Sequence, residues 1–240
     1  MDAMELAAVA AVVSALLSLA AYKMKALTAD GAAASFAIGS AVGIFGSLNA
    51  FALLTVFTFA GFAATASKLS EKKKAGLQEG RNGERTWKNV LGVGLPPCIV
   101  VFVNFLYPLE PAVFYTAFIS TMAVAGADTI ASEIGIRDRN VYLITNFRKV
   151  PPGTNGGVSV FGTLVSSAAS LAIALLGWLI MTFHLSFMAL IPFAAGVVGN
   201  LLDSVFGVLL EDRGIISKYT NNCSTALIGA AVGAGICVSV

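Results

Sequence analysis

Acidic residues inside long apolar stretches are the first residues of this sequence that could do chemistry. Asp128 lies in an Asp-Thr-Ile-Ala-Ser-Glu segment that ends at Glu133, and Asp203 follows another apolar run. A charged side chain within a membrane-spanning helix costs about 2.5–3.5 kcal/mol on insertion scales, so such residues are functional candidates. Carboxylate oxygens suit Mg²⁺, which commonly takes one or two carboxylates together with waters and phosphates. The acids therefore predict a Mg²⁺ site with Asp128, Glu133 and Asp203 as ligands, the two aspartates also being catalytic.

A basic, glycine-rich segment at about 137–157 offers a second chemistry, the binding of phosphate. Two prolines precede its glycines, and an apolar helical stretch is predicted to follow at once. Backbone N–H groups at a helix N-terminus bind anions, glycines allow close approach, and basic side chains pair with phosphate. The expected phosphate ligands are Arg148, Lys149, Gly153, Thr154, Gly156 and Gly157. Asn155 lies among them and is predicted to act in catalysis.

Further amide and basic side chains are expected to orient a nucleotide. Asn200 precedes Asp203 by about one helical turn, and Asn221-Asn222 opens the last apolar segment. Arg85 and Lys88, in a basic loop at about 68–89, could reach nucleotide phosphates. Each feature has a plain structural alternative. The acids could reach water or pair with a base at a helix end, the bases could anchor at the interface, and the amides could cap helices.

The elements that position these residues are predicted to be transmembrane helices. Hydrophobic residues make up 57% of the 240 residues and charged residues 12%, with a mean hydropathy of +0.84. Soluble domains carry about 25% charged residues, so this surface suits lipid. We expect an all-α polytopic bundle of roughly seven or eight helices in a single domain over residues 1–240. The predicted segments are 6–22, 32–48, 50–67, 90–107, 112–131, 158–183, 186–210 and 225–240.

Charge placement predicts which side of the membrane each loop faces. If every segment crosses, all fifteen Lys and Arg residues lie in loops on one side. Cytoplasmic loops carry such an excess, so we expect an integral protein of the cell membrane with its active site on the cytoplasmic side. The net charge of +2 gives no reason to expect a nucleic-acid partner. The spacings Gly39-Gly43 and Gly229-Gly233 indicate closely packed helices.

The chemical motifs, taken in order, resemble those of a membrane protein family that contains plant phytyl-phosphate kinase. The resemblance covers nearly the whole chain from about Leu27 onwards. The residues that carry it are Leu27-Thr28-Ala29-Asp30-Gly31, Arg85-Thr86-Trp87-Lys88-Asn89-Val90-Leu91, Ala127-Asp128-Thr129-Ile130-Ala131-Ser132-Glu133-Ile134-Gly135, Val150-Pro151-Pro152-Gly153-Thr154-Asn155-Gly156-Gly157-Val158-Ser159, Gly199-Asn200-Leu201-Leu202-Asp203-Ser204 and Asn221-Asn222.

The resemblance implies a Mg²⁺-dependent isoprenyl-phosphate kinase. Such an enzyme converts a prenyl monophosphate, for example phytyl or geranylgeranyl phosphate, to the diphosphate. Related polyprenol and phytol kinases use CTP, which implies CTP or another nucleoside triphosphate as the donor. The acid and amide positions of the family's site match Asp128, Glu133, Asn155 and Asp203.

Two other functions stay open on sequence alone. The same ingredients suit a CTP-dependent nucleotidyltransferase that makes a CDP-activated lipid. An ion-coupled transporter would use the intramembrane aspartates as ion sites. The expected partners are a prenyl-phosphate lipid, a nucleotide and membrane lipids, and an oligomer is compatible with the sequence.

Overall fold

A computed structural model describes residues 3–75, 83–134 and 138–240, with the side chains of residues 3, 64–75, 133 and 134 outside the description. Eight α-helices and three short strands make up this described part. The helices are α1 (Ala3–Lys23), α2 (Ala29–Phe45), α3 (Leu48–Ala75), α4 (Trp87–Leu106), α5 (Pro111–Ile134), α6 (Val160–Thr182), α7 (Leu190–Phe206) and α8 (Lys218–Ser239). The strands are β1 (Val141–Leu143), β2 (Lys149–Val150) and β3 (Gly157–Val158).

The helical bundle expected from composition is confirmed. Within the described residues, six helical stretches are long and apolar enough to cross a membrane. They are Met4–Lys23, Trp87–Leu106, Pro111–Ser132, Val160–Thr182, Phe187–Glu211 and Lys218–Ser239. The helix Ala29–Phe45 and the apolar part of α3, Leu48–Ala63, are shorter.

Two helix starts differ from those of the predicted segments. The last helix begins at Lys218, earlier than the predicted start at residue 225, because the Ser217 hydroxyl caps it and accepts a hydrogen bond from the Thr220 N–H at 3.2 Å. The predicted helix directly after the glycines is also displaced. Strand β3 comes first, and α6 starts at Val160.

The first compact unit, Met1–Pro108, contains α1 to α4. Helices α1 and α2 pack closely, since a methyl group added at Gly43 would lie 2.4 Å from the Ala10 Cβ. Gly39 meets Ser14 on the same face, so the predicted small-residue contact of α2 is confirmed. The start of α2 is tied to the segment before α4, because the Thr28 N–H donates to the Arg85 carbonyl at 3.1 Å.

The second unit, Leu109–Val240, is built around α5. Helices α6, α7 and α8 all pack against α5. In the apolar stretch of α5, 72% of the residues are buried, against 28–33% in the spans that contain those three helices. Glycines make the close approaches possible. A methyl group at Gly199 on α7 or at Gly229 on α8 would lie 2.4 or 2.5 Å from a Val124 methyl on α5. This unit contains both candidate aspartates. The prediction of one domain over residues 1–240 stays a prediction.

A small antiparallel sheet connects α5 to α6. Its strand order is β2-β1-β3, with Val141 opposite Val150 and Tyr142 opposite Val158. The sequence predicts only a loop over this stretch, because strands of two or three residues leave no periodic pattern. The sheet holds the Pro-Gly turn, residues 151–156, between β2 and β3.

Candidate functional site

Side chains of α8 join the two predicted metal-binding aspartates. Asp128 lies near the end of α5, where its Oδ2 accepts from the Asn222 Nδ2 at 3.5 Å. Asp203 lies in the last turn of α7, where its Oδ1 accepts from the Thr225 hydroxyl at 3.3 Å. The structure therefore brings the acids of α5 and α7 together against the first two turns of α8.

Asn221 occupies the centre of this group and is 1% exposed. Its Nδ2 lies 3.0 Å from the Asp203 backbone carbonyl oxygen and 3.4 Å from the Glu211 Oε2. Its Oδ1 is buried and accepts no hydrogen bond from the described part of the protein. An unsatisfied buried acceptor costs about 1–3 kcal/mol, which makes the Oδ1 a candidate ligand atom.

A π-helical turn, Gly207–Glu211, extends α7 beyond Asp203 and is called the π turn below. Its i to i+5 pattern is visible in the Asp212 N–H, which donates to the Gly207 carbonyl at 2.9 Å. Turns of this kind are rare and are frequent at functional sites. The π turn places Glu211 beside Asn221.

The Pro-Gly turn is attached to the π turn through Asn155. The Asn155 Nδ2 donates to the Gly207 carbonyl at 3.2 Å and to the Asp212 Oδ1 at 2.9 Å. Gly156 follows with a φ of +69°, and a Cβ there would lie 2.1 Å from the Val208 Cγ2, so glycine is required both by conformation and by space. Asn155 is therefore a positioning contact, and its predicted catalytic role stays a prediction.

Some of the expected phosphate ligands are hydrogen-bonded within the Pro-Gly turn, and others have exposed side chains. Thr154 donates through both its N–H and its hydroxyl to the Pro151 carbonyl, and the Gly157 N–H donates to Thr154. Arg148 and Lys149 are exposed, and the Lys149 ammonium donates to Asn140 at 2.9 Å. The charged side chains are thus better placed to receive a phosphate than the Thr154 and Gly157 N–H groups.

Other predicted site residues are placed differently. Arg85 and Lys88 belong to the first unit. The Arg85 Cζ lies 5.7 Å from the centroid of the Phe62 ring, and the Lys88 Nζ lies 5.9 Å from that of the Trp87 ring. Their contact with a nucleotide stays a prediction. The side chain of Glu133 lies outside the described residues.

Asn200 also remains a prediction as a nucleotide-orienting residue. It is 9% exposed on α7, where its backbone carbonyl accepts from the Ser204 hydroxyl at 3.4 Å. Gly153 has a φ of +84° and shapes the exposed start of the Pro-Gly turn.

Two residues of the site were missed by sequence reasoning. Thr225 carried no signal, because a threonine in an apolar helix is ordinary until its neighbours are known. Glu211 lies just beyond the predicted segment 186–210, eight positions after Asp203. In an α-helix that spacing rotates a residue about 80° from the face of Asp203, so a shared face is not expected.

The oxygen set of the site fits a hard divalent cation. Among the residues described, no three His, Cys, Asp or Glu side chains form a ready metal site. Mg²⁺ does not require one, since it is usually held by one or two carboxylates and completed by waters and phosphate oxygens. Asp128 and Asp203 can supply the carboxylates, and the unpartnered Asn221 Oδ1 fits the same ligand class.

One protein family and several known proteins are similar to the chain. The profile of the family described as "Integral membrane protein DUF92" matches residues 12–235. "Uncharacterized membrane protein MJ0933" of Methanocaldococcus jannaschii is 32% identical over 221 residues, which cover 90% of this chain and 88% of that protein. "Uncharacterized membrane protein sll0875" of Synechocystis is 34% identical over 189 residues, 77% of this chain and 72% of the relative.

A plant protein also matches. "Protein VTE6, chloroplastic" of Arabidopsis thaliana is 30% identical over 218 residues, which cover 88% of this chain and 64% of the plant protein. No solved structure matches the chain. The match over residues 12–235 agrees with the resemblance that the motifs carry. The chain therefore belongs to the DUF92 family of integral membrane proteins.

Proposed function

We propose that this protein is a Mg²⁺-dependent isoprenyl-phosphate kinase of the membrane. A phosphate oxygen of a prenyl monophosphate would attack the γ-phosphorus of CTP or another nucleoside triphosphate. The bond to the β–γ bridging oxygen would break, leaving a prenyl diphosphate and a nucleoside diphosphate. The acceptor phosphate is already ionised at neutral pH, so the reaction needs positioning and charge neutralisation more than a strong base.

The observation that carries the proposal is that side chains of α8 contact both Asp128 on α5 and Asp203 on α7, within a mainly apolar helical unit. Asn222 bonds one acid and Thr225 the other, so α8 sets their separation. A bound Mg²⁺ would neutralise phosphate charge and orient the phosphates. The resemblance of the motifs to a family containing plant phytyl-phosphate kinase supports a prenyl phosphate as the acceptor.

The chain's own residues would divide the remaining work. Arg148 and Lys149 would pair with phosphate, since both side chains are exposed at the start of β2, in the small sheet whose turn contacts the end of α7. Asn155 would hold that turn in place. The apolar surface of the helices would receive the prenyl chain from the lipid. We place this site on the cytoplasmic side, as the distribution of Lys and Arg predicts.

The proposal is tested with the purified full chain in detergent. Phytyl phosphate and geranylgeranyl phosphate are each supplied with Mg²⁺ and γ-labelled CTP, ATP or GTP. A kinase transfers the label to the lipid and releases a nucleoside diphosphate. Release of pyrophosphate with a CDP-lipid would instead identify a nucleotidyltransferase. Gradient-driven uptake in proteoliposomes without nucleotide turnover would identify a transporter.

Two substitutions test the site. Asp128→Asn and Asp203→Asn each keep the size and remove a charge, and we expect each to lower turnover by about 100-fold or more because the cation loses a charged ligand. Glu110→Gln is the matched control, because Glu110 caps the start of α5 by accepting from the Ala112 N–H at 3.0 Å and takes no part in the site. Full activity in both aspartate variants would remove the metal role.

A further inference from the structure

The π turn brings the Glu211 carboxylate to the amide of Asn221. In a continuous α-helix Glu211 would lie about 80° around the axis from Asp203, eight residues earlier. A π turn accommodates one extra residue, so the eighth position falls close to where the seventh would lie, about 20° from Asp203. The contact with Asn221 agrees, because one Nδ2 reaches both the Asp203 carbonyl at 3.0 Å and the Glu211 Oε2 at 3.4 Å.

A second observation points to a ligand at this place. Asn221 is 1% exposed, and its Oδ1 is buried without a hydrogen-bond donor among the described residues. This oxygen belongs to the amide whose nitrogen contacts Glu211 and the Asp203 backbone, so it lies within the same cluster. A buried amide oxygen without a donor, in an amide that contacts a carboxylate, is an oxygen ligand of the kind that a divalent cation binds.

We infer that Glu211 and the Asn221 Oδ1 join Asp203 in binding the divalent cation, and that the π turn is the structural device that brings Glu211 there. The inference rests on the proposed metal-dependent function and names the ligands that the sequence motifs did not assign. Asn155 supports the π turn from outside, since its Nδ2 donates to the Gly207 carbonyl at the start of the turn and to the Asp212 carboxylate just past its end.

The test measures cation binding directly. The full chain in detergent, without nucleotide or lipid phosphate, is titrated with Mn²⁺, and free Mn²⁺ is followed by electron paramagnetic resonance. Glu211→Gln is expected to weaken binding about tenfold or more, and Glu110→Gln to leave it unchanged. Wild-type Mn²⁺ affinity in folded Glu211→Gln would overturn the inference.

Further variants keep the test decisive if Glu211→Gln does not fold. Asn221→Leu removes the Oδ1 and should bind Mn²⁺ about tenfold more weakly than the wild type. Glu211→Asp, which withdraws the carboxylate by one methylene, should also weaken binding. Equal affinities in Asn221→Leu, Glu211→Asp and the wild type would overturn the inference. Thermal unfolding and gel filtration establish that each variant is folded.

The binding assay separates this inference from the proposed reaction. If Mn²⁺ binding depends on Glu211 but no prenyl phosphate is phosphorylated, the cation site stands and the kinase proposal fails. If prenyl diphosphate forms and Mn²⁺ binding is unaffected by Glu211→Gln, the kinase proposal stands and Glu211 is not a ligand.

Discussion

Asn155 shows how one side chain can link two parts of a site. Its amide nitrogen is shared between the Gly207 carbonyl and the Asp212 carboxylate, at the beginning of the π turn and just past its end. Hydrogen bonds to a charged acceptor contribute more than neutral ones, so the Asp212 contact is the stronger of the two. The adjoining Gly156 allows this approach, because any side chain there would meet Val208.

Truncation of Asn155 tests this contact. Asn155→Ala removes both hydrogen bonds, and we expect a loss of about 1–3 kcal/mol in the free energy of unfolding, together with reduced activity. The activity loss should be smaller than in Asp203→Asn, because both aspartates remain. Thr145→Ala, a truncation in the exposed turn after β1, is the control. Wild-type stability and activity in Asn155→Ala would show that the contact has no supporting role.

Helix α5 is the element on which the second unit depends. Val124 contacts the positions of Gly199 on α7 and Gly229 on α8, so one valine sets the distance of both helices from α5. In lipid, helix association relies on such close packing, since burial of apolar surface offers little net gain there. The same packing controls the site, because Asp128 is on α5 and Asp203 on α7.

A methyl group at Gly199 should therefore disturb both stability and activity. Gly199→Ala places a Cβ 2.4 Å from the Val124 Cγ2, and we expect a cost of about 1–3 kcal/mol from overpacking, measured by thermal unfolding. Turnover should fall as well, because α7 carries Asp203 away from α5.

The rescue and the control use the same helices. Val124→Ala removes the clashing methyl groups and should restore much of the stability and activity of Gly199→Ala. Gly235→Ala on α8 meets nothing within 4 Å and should be neutral or slightly stabilising. If Val124→Ala does not restore the stability of Gly199→Ala, contact with Val124 is not the cause of the destabilisation.

The whole molecule is organised by its solvent, the lipid bilayer. Helix α5 has 24 residues and a length of about 36 Å, more than the roughly 30 Å thickness of the hydrocarbon core. Its two ends therefore lie on opposite sides if it spans the membrane. Asp128 is six residues from the end of α5, about 9 Å along the axis, which suits a site open to water-soluble nucleotide.

The side of the membrane can be measured with single cysteines. In a background with Cys98, Cys223 and Cys237 replaced by alanine, Glu110→Cys should react with an impermeant maleimide on intact cells. Arg139→Cys should react only after permeabilisation, because the basic loops are expected in the cytoplasm. The reverse labelling pattern would place the site on the outer side.

Composition and local patterns were enough to predict the membrane environment, the helical class and the two candidate aspartates. A charged fraction of 12% is too low for a water-exposed fold, and Asp128 and Asp203 stand out because ionised side chains are costly in lipid. The close helix contacts at Gly39, Gly43 and Gly229 were also predicted, from the spacing of the glycines. These features depend on composition or on neighbours along the chain, which a sequence records directly.

Which side chains surround the two aspartates depends on how segments distant in sequence pack together. Asn222 and Thr225 reach them only because α8 starts at Lys218 and packs against both α5 and α7. Glu211 contacts Asn221 from the π turn that follows Asp203. At the start of that turn Asn155 bonds Gly207, 52 residues away in sequence, and local sequence patterns carry no record of so distant a partner.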